Sequence, residues 1–270
     1  MARVNIGKQP SRQGISCLFC GGAGPLTREH VFPDWMREVI YKGDGERRII
    51  PGDGGEPTIQ HGGPFNKTLK IVCAGCNNEW MSRLEERAKP LLVAMFNQDP
   101  AGPKVALDSD SQLVLARWAF KTAAVASRLN RTEGIPVEHR REFSGAEGLP
   151  RKVQVWIGAG AALNSELAMF SFEPTLAKQI EIRDGQPVRS IDFETYRTHF
   201  RILGVVFVVN GYVSERVPYT LEPNDTLRSA LLPLWPATHP RIWWPPVTNL
   251  DEFGGLSALA GPTEMHTVFL

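Results

Sequence analysis

The chain has no apolar run long enough to cross a bilayer. Its longest, Ile202–Val209 (ILGVVFVV), falls far short of the roughly 20 residues a spanning helix needs. It also lacks a strong charge of either sign: 30 Lys and Arg against 29 Asp and Glu leave a formal net charge of +1. That excludes binding to nucleic acid by bulk charge, so any such contact must come from a local patch. The N-terminal MARVNIGKQPSRQG is basic but has no apolar core, so it is not a secretory signal, and a cytoplasmic location is expected. Internal repeats and low-complexity tracts are absent. What remains is an ordinary composition, 42% hydrophobic and 22% charged over 270 residues, enough for one large domain or two modest ones.

Cysteine is scarce, and its four residues are not scattered. They fall as Cys17-x-x-Cys20 and Cys73-x-x-Cys76, and none follows Cys76. In a reducing compartment a metal explains such pairs better than disulfides do. Two CxxC knuckles make a four-thiolate zinc site the natural reading, with Gly21, Gly22, Ala74 and Gly75 supplying small residues for the turns. With four thiolates no position stays open for substrate, so this zinc is expected to be structural.

The fold class expected is α+β, in two parts. Residues 1–98 form a module around the knuckles and 105–270 a second domain of unknown role, with the Pro- and Gly-containing 97–108 between them. Gly43 to Pro64 reads as loop or extended backbone. Trp80, Leu84, Leu91 and Met95 mark an amphipathic helix that Pro90 should kink or divide. A second helix is expected over Ser111 to Asn130, capped from within 108–111. Beyond Pro150 the texture predicts a mainly antiparallel sheet, with strands at 153–158, 167–173, 178–183, 200–209 and 212–217. Asn210-Gly211 is the expected hairpin turn between the last two. The Pro- and Trp-rich 232–247 should wrap over the core in extended segments.

Between the knuckles runs Leu26-Thr27-Arg28-Glu29-His30-Val31-Phe32-Pro33, and the second knuckle is followed at once by Asn77-Asn78. The combined pattern CxxC…EHxxP…CxxCN resembles the HNH endonucleases over about 75 residues, Ile15 to Pro90. The resemblance implies a ββα-metal module pinched around a catalytic cation. By position it makes His30 the general base that takes a proton from the attacking water. It makes Glu29 and Asn77 ligands of the catalytic cation, and Asn66 the asparagine that holds the active-site loop. One carboxylate and one amide oxygen are hard ligands suited to Mg2+ or Mn2+. Met81, where a histidine-rich site would carry a further ligand, argues against catalytic zinc; Asn78 and Glu79 are alternate ligands.

The implied activity is metal-dependent hydrolysis of DNA phosphodiester bonds, RNA being the other substrate the motif fits. The second domain is free to serve a ligand or a protein partner. The competing reading is a catalytically inactive zinc-ribbon adaptor that binds nucleic acid, with Asn77 only a helix cap and Glu29 a surface acid. Trp80 is expected in the core rather than as a stacking platform. Arg12, Arg28, Arg37, Arg47, Arg48, Lys67 and Lys70 are candidate phosphate contacts, and Lys121 is expected to snorkel from an apolar helix face. The remaining histidines (61, 139, 199, 239 and 266) have no partner at a ligand spacing.

Overall fold

The computed structural model describes residues 16–40, 46–49, 58–61, 64–99, 101–130, 134–160, 168–183, 186–213, 220–222, 225–255, 259 and 266–268. Of these, 46–49, 58–61, 64, 130, 145, 168–183, 186–193, 220–222, 225–226 and 266–268 are described for the backbone only. Arg12 lies outside this set. In chain order the elements begin with β1 (Leu26–His30), α1 (Met36–Ile40), β2 (Glu46–Ile49) and β3 (Thr58–His61). A 3-10 turn (Pro64–Asn66), β4 (Thr68–Cys73), α2 (Ala74–Cys76), a π-helical stretch (Asn77–Met81) and α3 (Ser82–Phe96) follow. Next come β5 (Val105–Asp108), α4 (Ser109–Ser127), α5 (Val137–Gly145), β6 (Val153–Ala159), β7 (Ala168–Arg183), β8 (Gln186–Ile202) and β9 (Val205–Val213). The end carries β10 (Thr220–Glu222), α6 (Asp225–Arg228), β11 (Leu231–Trp235), β12 (Arg241–Trp244) and β13 (His266–Val268).

The architecture is α+β with antiparallel pairing throughout the described strands. Its largest sheet has the order β11-β6-β9-β8-β7; small two-stranded sheets join β1 to β4, β2 to β3, β5 to β12 and β10 to β13. No helix among the described residues is long and apolar enough to cross a membrane. The segment 43–64 therefore contains a strand pair, Glu46–Ile49 against Thr58–His61, within its Gly-rich surroundings.

Helix α4 is the central element. Asp108 caps it by accepting from the Ser111 N–H at 2.9 Å, and most of its length is buried. On one side Trp118 packs on Phe207 and Phe200, with ring centroids 5.4 and 6.0 Å away, and on the other α4 meets α3. Burial on both sides explains why α4 is apolar almost all round rather than striped. The opposite face of the sheet carries a second cluster, in which Trp156, Val206 and Val208 meet Leu227, Leu231 and Leu250.

One apolar core runs from the knuckle residues through α3 and α4 to the sheet. Phe32, two residues after His30, touches both Phe65 (5.9 Å) and Phe200 (6.1 Å) and so ties the loop after β1 to the sheet.

Three expectations about these elements are corrected. Pro90 does not divide α3, which continues unbroken to Phe96. Pro90 and Glu86, the residue whose carbonyl loses its partner, are both exposed, so the lost bond falls on the solvent side. Asn210-Gly211 is not a turn. The β8–β9 hairpin closes at Leu203-Gly204, with Leu203 at φ 52°, and Asn210-Gly211 lies inside β9. The glycine has a packing reason instead: Tyr196 is its cross-strand partner, and a Cβ at 211 would run into the Tyr196 ring. Gly211→Ala is expected to destabilise by about 1–3 kcal/mol, as overpacking does. A denaturant midpoint equal to wild type would refute that account. The strands expected at 167–173 and 178–183 are a single long strand, β7. The stretch 212–217 enters the described residues only as far as Val213.

Two histidines are buried beside this sheet. His139 Nδ1 lies 2.8 Å from the Tyr196 hydroxyl. Burial, then the nearby Lys152 charge, pushes the His139 pKa down to about 4; burial, then Arg197, does the same to His199. Between pH about 4 and 6.5 the unfolded chain therefore binds more protons than the folded one, and stability falls as pH drops through that window. Each histidine can contribute at most about 3 kcal/mol. The loss of stability from pH 7 to pH 5, read from denaturant midpoints, should shrink in His139→Gln; an unchanged loss would remove His139 as its source.

Candidate metal centre and the strand beside it

The first knuckle is a tight turn that hangs on the edge of β4. Leu18 N–H donates to Ile71 O at 2.8 Å, the Gly21 N–H returns to Cys17 O at 3.0 Å, and Gly21 takes φ +71°, which glycine tolerates without strain. The second knuckle is the end of β4 itself: Cys73 caps α2 and accepts from the Cys76 N–H at 3.4 Å. The pairing of β1 with β4 places Leu26 opposite Cys73, so the strand pair and both knuckles converge.

All four sulfur atoms lie within 4.8 Å of one another, and Cys20 Sγ is 3.8 Å from Cys73 Sγ. A tetrahedron with Zn–S bonds of ~2.3 Å has edges of about 3.8 Å, so the cluster fits zinc. Backbone N–H groups point at the sulfurs, Cys73 N at Cys17 Sγ (3.3 Å) and Gly22 N at Cys20 Sγ (3.4 Å). Burial raises the Cys17 pKa, but N–H donors from Cys73, Phe19 and Cys20 outweigh it and bring the thiol down to about 7. All four cysteines are free of disulfides. Trp80 packs edge-on against Phe19 (5.1 Å) and Phe143 (5.3 Å), which makes it a core residue behind the knuckle.

From the knuckles β1 runs outward to the EH pair, and strand alternation sends the two side chains to opposite faces. Glu29 turns inward and is buried. Its Oε1 accepts from Lys121 Nζ at 3.0 Å, and the same ammonium bonds Glu85 Oε1. Glu85 Oε2 in turn accepts from the Trp118 indole N–H at 3.1 Å. Lys121 does not snorkel to solvent as expected, because two carboxylates meet its charge inside. Burial works against the ammonium, yet Glu85 and Glu29 outweigh it and hold the pKa above the ordinary lysine value.

His30 faces outward, with 38% of its side chain exposed, and its Nε2 is 3.9 Å from Asp34 Oδ1. Arg28 shares that face of β1, and its cross-strand neighbour is Lys70, both exposed. Like charges directly opposite are unfavourable in a strand pair unless something negative lies between them.

Asn77 tightens this arrangement. Its Nδ2 donates to Thr27 Oγ1 (3.0 Å) and to the Arg28 carbonyl (3.1 Å), pinning the helix start to β1. A carbonyl only accepts, so the amide nitrogen must face the strand and Oδ1 is left without a hydrogen bond among the described residues. Glu29 Oε2 is left in the same state. Were a hard divalent cation to bind beside β1, these two oxygens are the ones left to meet it, with substrate phosphate and water completing its shell.

Asn66 ends the 3-10 turn and is exposed, and among the described residues its side chain makes no hydrogen bond. The loop is tied there by the backbone instead, Val31 N–H to Lys67 O at 3.0 Å. Beyond the cysteines, no three His, Cys, Asp or Glu side chains among the described residues converge on one point.

Sequence reasoning missed Glu85 and Asp34, and it singled out Lys121 but placed its charge in solvent. Asp34, four residues after His30, carried a sequence signal in its spacing. For Lys121 the signal was its place three residues after Trp118, on the same helix face; its partners came from elements far along the chain. Compared with family models, curated proteins and solved structures, the chain matches none of them.

Proposed function

We propose that this protein is a metal-dependent endonuclease of the HNH type acting on DNA, with a structural zinc at Cys17, Cys20, Cys73 and Cys76. The reading is carried by His30: a partly exposed imidazole at the end of β1, beside a carboxylate and on a face that also bears Arg28 and Lys70. The antiparallel pair β1–β4, followed at once by α2 and α3, supports the ββα reading, with α1, β2 and β3 set between its two strands.

In this reading a ring nitrogen of His30 takes a proton from water, and Asp34 stands beside the ring. The resulting hydroxide attacks phosphorus, the P–O bond to the leaving oxygen breaks, and that oxygen is protonated from solvent. Arg28 and Lys70 hold the phosphate backbone against the strand. Glu29 Oε2 and Asn77 Oδ1 would hold Mg2+ or Mn2+, whose charge offsets that building on the phosphate. The zinc fixes the knuckles and takes no part in the chemistry.

One observation favours the second reading, a nucleic-acid-binding adaptor without activity: half of the Glu29 carboxylate is already engaged by Lys121. Plasmid cleavage by wild type with Mg2+, Mn2+ or EDTA separates the two. Cutting that needs the divalent ion supports the nuclease. A folded, zinc-loaded protein that shifts DNA in a gel but never nicks it supports the adaptor.

A further inference from the structure

The ion network behind β1 joins three parts of the chain. Glu29 comes from the strand between the knuckles, Glu85 from α3, and Lys121 from α4, beyond the 97–108 connection. The lysine side chain is 1% exposed, those of Glu29 and Glu85 11% and 20%. An ammonium this deep is costly unless paired, and this one has two carboxylates plus the Trp118 indole fixing the second. With three charged groups the network keeps a net charge of −1.

We propose that Lys121 and Glu85 are positioning residues for Glu29: Lys121 fixes its carboxylate by Oε1 and leaves Oε2 without a hydrogen bond among the described residues, while Glu85 shares the ammonium so that Glu29 keeps enough negative charge to bind a divalent cation. The inference rests on the metal-dependent reading above. Its consequence is that the site is completed by the part of the chain beyond the 97–108 connection.

Two physical steps lead from the geometry to this role. A lysine bonded to Glu29 alone would neutralise it, and a neutral pair is a poor cation ligand at any distance. Drawing the same ammonium onto Glu85, whose other oxygen is held by Trp118, leaves the surplus charge on the pair of carboxylates. Only Glu29 of that pair lies on β1, the strand that bears His30 and that Asn77 holds at Thr27 and Arg28.

Lys121→Met leaves two buried carboxylates with no counter-charge and is expected not to fold, so Glu85→Gln carries the test. The amide oxygen of that variant can still accept from Lys121 or Trp118, and the variant should retain one zinc and a cooperative melt. Mn2+ binding to the full chain is followed by the loss of the free-ion electron paramagnetic resonance signal, in parallel with the Mn2+ midpoint for plasmid cleavage. The expected result is Mn2+ affinity about ten-fold weaker in Glu85→Gln, with cleavage restored at high Mn2+; ten-fold corresponds to about 1.4 kcal/mol. Glu29→Gln should abolish the Mn2+ binding. A folded Glu85→Gln chain that binds Mn2+ as tightly as wild type overturns the positioning role and leaves the nuclease reading standing. Wild type that neither binds Mn2+ nor cuts overturns the nuclease reading and this inference with it.

Discussion

Replacing Cys73 by serine is expected to cost the chain its zinc and, with it, the folded state of the segment that contains β1, β4 and the start of α3. Cys73 has three tasks at once. It ends β4, caps the helix that follows, and places its sulfur 3.8 Å from Cys20. The described knuckle residues add little apolar burial beyond Cys17, Leu18, Phe19 and Cys76. A structural zinc supplies an apparent ~10–16 kcal/mol in small metal-folded modules, comparable with the whole stability of a domain, ~5–15 kcal/mol. Metal content and a thermal melt check this together. Wild type should hold one zinc per chain, and Cys73→Ser should hold none and lose its cooperative transition or shift it far downward. One retained zinc and an unchanged melt would show that three thiolates suffice and that the fourth is incidental. Because the core runs on from the knuckles through α3 into α4, the damage should also reach the sheet, and hydrogen exchange would show how far.

The second large effect should leave the fold alone. His30→Ala removes a partly exposed side chain whose one ion-pair partner among the described residues, Asp34, is more exposed still. Surface truncations of that kind stay within about 0.5 kcal/mol. Zinc content, melt and DNA affinity should therefore match wild type. Cleavage should fall by roughly 10²–10⁴, the usual contribution of a positioned general base. Cutting by His30→Ala at the wild-type rate would remove His30 from the chemistry. If His30→Ala instead unfolded like Cys73→Ser, the separation between a structural centre and a chemical one would be wrong.

The four-cysteine cluster was legible because its information is local. A CxxC turn brings two sulfurs together through a few bonds, and two such turns need only one strand pair to meet. The cap within 108–111 was legible for the same reason, and so was the packing of Trp80 against the core. Turn chemistry misled at Asn210-Gly211, where the residues suit a hairpin but the glycine is required by the Tyr196 ring across the strands. The true turn, Leu203-Gly204, was hidden inside an apolar run whose leucine accepts a positive φ. Least legible was the environment of Glu29. Its neighbour in sequence, His30, faces solvent, and its neighbours in space, Glu85 and Lys121, come from helices 56 and 92 residues further on. No pattern within residues 15–90 contains that lysine.

The placement of Lys121 also bears on how the chain is made. Synthesis runs from the N-terminus, so both knuckles, β1, β4 and α3 leave the ribosome before any of α4 does. Until residue 121 emerges, Glu29 and Glu85 have no ammonium between them, and Leu84, Ala88 and Leu92 of α3 lack the helix they pack against in the finished protein. At about 5–20 residues per second that interval lasts only seconds. During it, a metal bound by the four cysteines would already tie the two knuckles together.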